Sequence, residues 1–234
     1  MIDLDLDDLD GAALADNTPA NRVAAALPAE CHAWSFGSFP GDPVALDIAQ
    51  RWALAPVPLG LVLQGPPGLG KTGLAVSIAR EWAENGVGSR GLWNLMTFSP
   101  YRLEAQAGRI RPRPAPVWFE RWPDLRDRLR GTWGLADHAL REEALHEELR
   151  NRVTALVVDD LDVDAASDWK EAVVLRLLCW PERGLRLVVT VNVQVEELPR
   201  RLGDRSADRL LDPSHFRLVR MSGRSLRRRL DAGA

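Results

Sequence analysis

Cysteine, methionine, tyrosine and lysine are all scarce in this chain of 234 residues, which holds two, three, one and two of them. Cys31 and Cys179 make no CxxC and join no Cys/His cluster, so neither a disulfide framework nor a structural zinc site is encoded, and a reducing compartment suits the chain. The four histidines, His32, His138, His146 and His215, share no spacing and read as ordinary surface or packing residues. No apolar run exceeds the length of a strand, and the opening MIDLDLDDLD is acidic where a signal peptide is basic. A membrane span and an export signal are therefore excluded, and the expected location is cytoplasmic. The length also excludes a large multidomain machine within one chain and predicts a single domain with a short arm.

What is present is an uneven distribution of charge. Residues 1–60 carry nine acids against two bases, net −7, so the remaining 174 residues carry +4 of the chain's −3. Of thirty basic residues only Lys71 and Lys170 are lysine, which makes those two positions worth locating. Residues 1–34 lack sustained periodicity and read as an acidic, flexible arm with at most a short helix near 21–27. Residues 35–230 are assigned to the domain, with 91–116, which ends in an Arg-Pro segment, a candidate insertion.

Within the domain, FPGDPVALDIAQRWALAP has a helix start at Gly-Asp-Pro and two proline stops, and predicts an amphipathic helix. LGLVLQG (59–65) is a short apolar run of the buried parallel-strand kind, and a helix follows from Lys71 to Asn85. Further strands are predicted at 115–122, 154–161, 184–192 and, at the sheet edge, 216–222, with helices over PDLRDRLRGTW and 169–179. Strands alternating with helices predict an α/β fold, a doubly wound and mostly parallel five-stranded sheet, with its chemistry at the carboxyl ends of the strands.

GPPGLGKT satisfies GxxxxGK[ST] between a predicted strand and a predicted helix. A chance match is expected in about one such sequence in a thousand. The segment Gly65, Pro66, Pro67, Gly68, Leu69, Gly70, Lys71, Thr72 and Gly73 is thus a candidate phosphate cradle, its N–H groups turned inward and the next helix's positive end directed at the same charge. Lys71 is expected to reach the β and γ phosphates of ATP and Thr72 to ligate Mg²⁺. Mg²⁺ takes oxygen ligands, and ALVVDD supplies them: Asp159 for the metal, and Asp160 to polarise the attacking water. Asn192, closing the apolar run before it, is a candidate to fix that water.

Assembled in this order, the motifs resemble AAA+ ATPases of the DnaC/IstB group, helicase loaders and transposition helpers related to the initiator DnaA. GPPGLGKT resembles their Walker A, LVVDDL their Walker B and VVTVN their sensor 1 strand, over about residues 36–228. LGDRSADRLLD is similar to their box VII, and GRSLR to a degraded sensor 2 element in which Leu226 replaces a tyrosine. The resemblance implies a P-loop AAA+ domain without a full helical lid. It also implies an ATPase whose second carboxylate, aspartate where most such enzymes have glutamate, slows hydrolysis. An arginine finger to the next subunit's nucleotide falls on Arg209, supported by Arg205 one helical turn before it, and the sensor 2 role on Arg227. Single-stranded DNA is the implied second ligand, met by Arg126, Arg128 and Arg130. A replicative helicase or another DNA-processing protein is the implied partner, a transposase being the alternative and a nucleotide-gated interaction protein with little turnover a third reading.

Overall fold

The computed structural model describes residues 19–55, 60–85, 117–130 and 155–227. The candidate insertion 91–116 lies outside them.

Five strands form one sheet: β1 (Gly60–Gln64), β2 (Val117–Arg121), β3 (Ala155–Asp159), β4 (Arg186–Val191) and β5 (Phe216–Arg220). Their order is β2-β3-β4-β1-β5 and every pairing is parallel, with Leu61 opposite Val188 and Val158 opposite Val189. Both faces are covered, so successive strand residues enter two different cores. Leu61, Leu63, Val157 and Val188 pack on one side, and Val62, Leu156, Val158, Val189 and Val191 on the other. This is why β1, β3 and β4 show continuous apolar runs, whereas the edge strands β2 and β5 alternate in burial.

The first side is roofed by helices α1 (Pro19–Ala26), α2 (Pro43–Leu54) and α3 (Lys71–Asn85), whose Leu74, Ile78 and Trp82 are fully buried. Asp42 caps α2, accepting from the backbone N–H of Val44 and Ala45, with Pro43 at the first helical position. The opposite side is covered by α4 (Trp122–Arg130), α5 (Asp168–Leu178), α6 (Leu198–Leu202) and α7 (Asp204–Leu211).

Two findings modify the sequence reading. Residues 19–34, assigned there to the arm, carry α1 and a turn at Ala29–Cys31, and Val23, Leu27 and Cys31 are buried with the core. The short helix near 21–27 is in the sequence reading; its burial is not, because the core partners of Val23, Leu27 and Cys31 lie on distant elements. The second lysine, Lys170, sits in the α5 core at 1% exposure, its Nζ donating to the Asp164 carbonyl at 2.8 Å and lying 5.5 Å from the Trp122 ring centroid. Burial pulls its pKa down to about 8, against the opposing pull of Asp164 and Asp162.

Two measurements check these placements. Leu27→Ala is expected to lower stability in urea by about 2–4 kcal/mol, whereas a residue in a loose arm would change nothing measurable. Lys170 has a folded pKa below its unfolded value of 10.5, so at pH 7 the folded state bears the full cost of the buried charge. Lys170→Met is therefore expected to be more stable than the parent at pH 7, by up to about 3 kcal/mol, with the difference shrinking as pH rises from about 8 towards 10.5.

Candidate functional site

All five strands point their carboxyl ends to one edge, and the motif residues collect there. After β1 the loop turns through Gly68 and Gly70, at φ +87° and +89°, conformations that L side chains avoid. A Cβ on Gly70 would lie 2.9 Å from Leu226 Cδ1 and 3.0 Å from the Phe39 ring, and one on Gly68 would collide with the Ser225 hydroxyl. Lys71 is 5% exposed and its Nζ donates to the carbonyls of Gly65 at 2.6 Å and Pro66 at 2.9 Å. Burial lowers its pKa, while Asp160, Asp162 and Asp159 pull the other way.

Asp159, the last residue of β3, is buried between two hydroxyls. Thr72 Oγ1 donates to its Oδ2 at 2.9 Å, and Thr190 Oγ1, from the middle strand beside it, donates to Oδ1 at 2.6 Å. Burial raises the Asp159 pKa, with the two hydroxyls opposing. Thr190 also accepts from the backbone N–H of Asp160 at 2.9 Å. Asp160 follows in the left-handed region at φ 57°, the one non-glycine residue there among those described. Such a conformation is costly for an aspartate and needs support from its surroundings. Its Oδ1 accepts from Asn192 Nδ2 at 2.8 Å, so the two candidate water-handling groups are in direct contact. Asp162, 3% exposed, accepts from the backbone N–H of both Asn192 and Val193 at 2.9 Å.

The oxygen donors suit a small hard cation. The Thr72 hydroxyl and Asp159 carboxylate converge within hydrogen-bonding distance beside the loop, while no group of three or more His, Cys, Asp or Glu gathers among the described residues. A protein cage is therefore absent from that part of the molecule, and the arrangement fits a metal shared between one carboxylate, one hydroxyl, water and phosphate, the habit of Mg²⁺.

Beyond β5 the chain doubles back over the loop. Leu226 N–H donates to the Gly68 carbonyl at 2.7 Å, and Ser222 N–H donates at 3.0 Å to Asp42 Oδ2, the carboxylate that caps α2. Between them is a cavity of about 220 Å³ lined by Pro40, Gly41, Asp42, Leu69, Ser222 and Leu226. Arg227 is exposed, close enough to Lys71 for its charge to oppose protonation of the lysine.

The other arginines separate. Arg209 Nε donates to the Leu178 carbonyl at 3.2 Å and its guanidinium pairs with Glu182, which also meets His215 at 2.6 Å. Arg205 is exposed on the same helix. Of the pair expected to act together, Arg209 presented and Arg205 supporting, Arg205 is the more exposed and Arg209 is half-buried between the Leu178 carbonyl and Glu182. Likewise Arg126 is bound at 2.8 Å to Asp164, Arg128 pairs with Glu120 and stacks 5.5 Å from Trp118, and Arg130 lies 4.8 Å from the Trp169 ring. These three, the sequence candidates for DNA, are engaged within the protein. Sequence reasoning missed Thr190, Asp162 and Asp42; the one signal was a polar residue inside the apolar strand VVTVN and an acid inside LDVD.

No protein-family model matches the sequence, and a search of curated proteins finds no match. Solved structures are similar. The DnaC helicase loader matches over 83% of this chain and 100% of its own, at TM-score 0.55 and 17% identity. DnaI matches over 84% and 95%, at 0.55 and 21%. The replication initiator DnaA bound to AMPPCP and single-stranded DNA matches over 82% of this chain and 51% of its own, at 0.56 and 13%. The fold is that of the P-loop AAA+ domain of these DnaC-like structures.

Gly68→Ala tests the loop's close fit. It is expected to weaken binding of ATP by about tenfold or more and to lower stability by about 1 kcal/mol or more, measured by titration with a fluorescent ATP analogue and by thermal unfolding.

Proposed function

We propose that this chain binds and hydrolyses ATP as an AAA+ replication protein of the helicase-loader type, acting as an oligomer on single-stranded DNA together with a replicative helicase. The observation that carries the ATPase reading is the buried carboxylate Asp159 meeting Thr72 of the phosphate loop, with Asp160 and Asn192 in contact beside it.

In this reading the loop N–H groups and Lys71 bind the β and γ phosphates, Lys71 exchanging its two carbonyl acceptors for phosphate oxygens. Mg²⁺, when bound at Thr72 and Asp159, would neutralise charge developing on the phosphates. Asp160 accepts hydrogen bonding from the attacking water, and Asn192 orients that water with its amide. The cavity beside Asp42 and Leu69 has room for the nucleobase. Arg227 stands over the phosphates of its own subunit. Across a subunit boundary Arg205 is the arginine available to a neighbour's γ-phosphate, and Arg209 holds the helix that carries it. The similarity to helicase loaders and to a DnaA structure carrying AMPPCP and single-stranded DNA supports the wider role.

A second reading keeps the nucleotide but not the turnover. It is favoured by the short Asp160 side chain, already occupied by Asn192, and describes an ATP-gated interaction protein.

Measurement of ATP binding and hydrolysis, with and without single-stranded DNA, separates them. Lys71→Ala is expected to abolish both, and Asp160→Asn to keep binding while lowering hydrolysis by about 100-fold or more. Arg205→Ala should lower oligomer-dependent hydrolysis by about 1,000-fold, with Arg209→Ala acting mainly on stability. Absence of ATP binding refutes the proposal; binding with no turnover under any condition selects the second reading.

A further inference from the structure

We propose that Asp162 is a positioning residue for hydrolysis: its buried carboxylate sets the orientation of the Asn192 amide, and through that amide the place of the Asp160 carboxylate. This rests on the ATPase reading above and deepens it.

Beyond the sheet, Asn192 and Val193 need something other than a strand to hold them. The β3 to β4 register ends at Val158 opposite Val189, and a last cross-strand bond runs from Leu161 N–H to the Thr190 carbonyl. On the other side Val191 is the last β4 residue paired with β1, and its carbonyl accepts from Gly65 N–H. The next two amides, of Asn192 and Val193, turn to one carboxylate oxygen, Asp162 Oδ2, at 2.9 Å each. Gln64 Nε2, donating to the Val193 carbonyl at 2.9 Å, closes the turn from the β1 side. A buried carboxylate and two amides are thereby satisfied together, and the sensor residue is fixed by a side chain thirty positions away in sequence.

The other oxygen acts on the side chain. Asp162 Oδ1 lies 3.4 Å and Asp160 Oδ1 2.8 Å from the Asn192 side-chain nitrogen. Carboxylates only accept, so an Asn192 amide turned the other way would set its carbonyl oxygen against both. Charge, not packing, therefore directs the NH₂ group towards Asp160 and the water that Asp160 would polarise. Asparagine at 162 has the same shape but offers a single acceptor. Either the two backbone amides or the 3.4 Å contact from the Asn192 side chain then loses its acceptor, and Asp160 is left as the one carboxylate directing the amide.

The test uses the full chain and three variants: Asp162→Asn, Asn192→Ala and the double variant. Two readouts are combined, steady-state hydrolysis of Mg²⁺-ATP and the NMR signals of the Asn192 side-chain NH₂ in nucleotide-free protein. For Asp162→Asn we expect kcat to fall by about 10- to 100-fold with KM for ATP changed by less than about threefold. The double variant should be no slower than Asn192→Ala alone, because the acid acts through the amide. In Asp162→Asn the NH₂ signals should move towards those of a free amide, with backbone exchange at Val193 faster by about tenfold. A kcat within about twofold of the parent, or losses that multiply in the double variant, overturns the proposal. So do unshifted NH₂ signals in Asp162→Asn. If the parent hydrolyses no ATP, the ATPase reading fails on that result, and the nucleotide-free spectra still decide whether Asp162 orients Asn192.

Discussion

Thr72 and Thr190 donate to the two oxygens of a single buried carboxylate, Asp159, and through it three parts of the molecule share one reference point. Thr72 belongs to the first turn of α3, Asp159 ends β3 and Thr190 lies in β4. Removing a carboxylate from water is unfavourable, and here burial raises the pKa despite the two hydroxyls. Both partners are neutral, so the negative charge is held in position without being cancelled. A cation and a phosphate loop placed beside it then interact with a fixed charge in a medium that screens weakly, where electrostatic terms have their greatest effect. The same hydroxyl of Thr190 accepts from Asp160 N–H, which supports the left-handed backbone at that residue. Asp159 and Asp160 are thereby positioned by one threonine.

The arginine content has a related explanation. Arg186, 3% exposed, donates to the Ala55 carbonyl and lies 5.4 Å from the Trp52 ring, with burial lowering its pKa to about 10. Arg126, Arg128 and Arg209 each turn to an acid of the same domain. A planar guanidinium can lay its face on an aromatic ring while its edge donates several hydrogen bonds in a fixed fork. Much of the positive charge counted in the sequence is thus structural, and the excess of +4 outside residues 1–60 overstates what a nucleic acid would meet at these positions.

How far the chain could be read in advance depended on the range of the interaction involved. The loop between β1 and α3 was legible as a motif because its residues are contiguous, and α3 was placed at both ends because Lys71 follows the loop and Asn-Gly closes the helix. The central strands were legible because burial on both faces leaves unbroken apolar runs. Asp160 and Asn192 were assigned separately, but their 2.8 Å contact depends on β3 lying beside β4, which strand order alone decides. Asp162 and Thr190 were passed over for the same reason: their partners are about thirty residues distant. Helical spacing put Arg205 and Arg209 on one face, yet only the Leu178 carbonyl and Glu182, distant in sequence, distinguish the half-buried arginine from the exposed one. The burial of Val23, Leu27 and Cys31 was hidden because their core partners lie on elements distant in sequence.

Residues 39–42 and the segment after β5 meet at the phosphate loop, and this has a mechanical consequence. Asp42 uses one oxygen to cap α2 and the other to accept from Ser222, 180 residues later. Four residues further, Leu226 bonds to Gly68 inside the loop, and Phe39 and Leu226 occupy the space that a side chain at Gly70 would need. Linker, loop and tail therefore enclose the same cavity, and none can shift without changing contacts with the other two. A ligand seated there bears on all three at once, whereas one that touches only the phosphate side leaves the Asp42 to Ser222 link undisturbed. Movement at this edge is confined to these few short-range bonds, because the sheet beneath them is packed on both faces and has little freedom to deform.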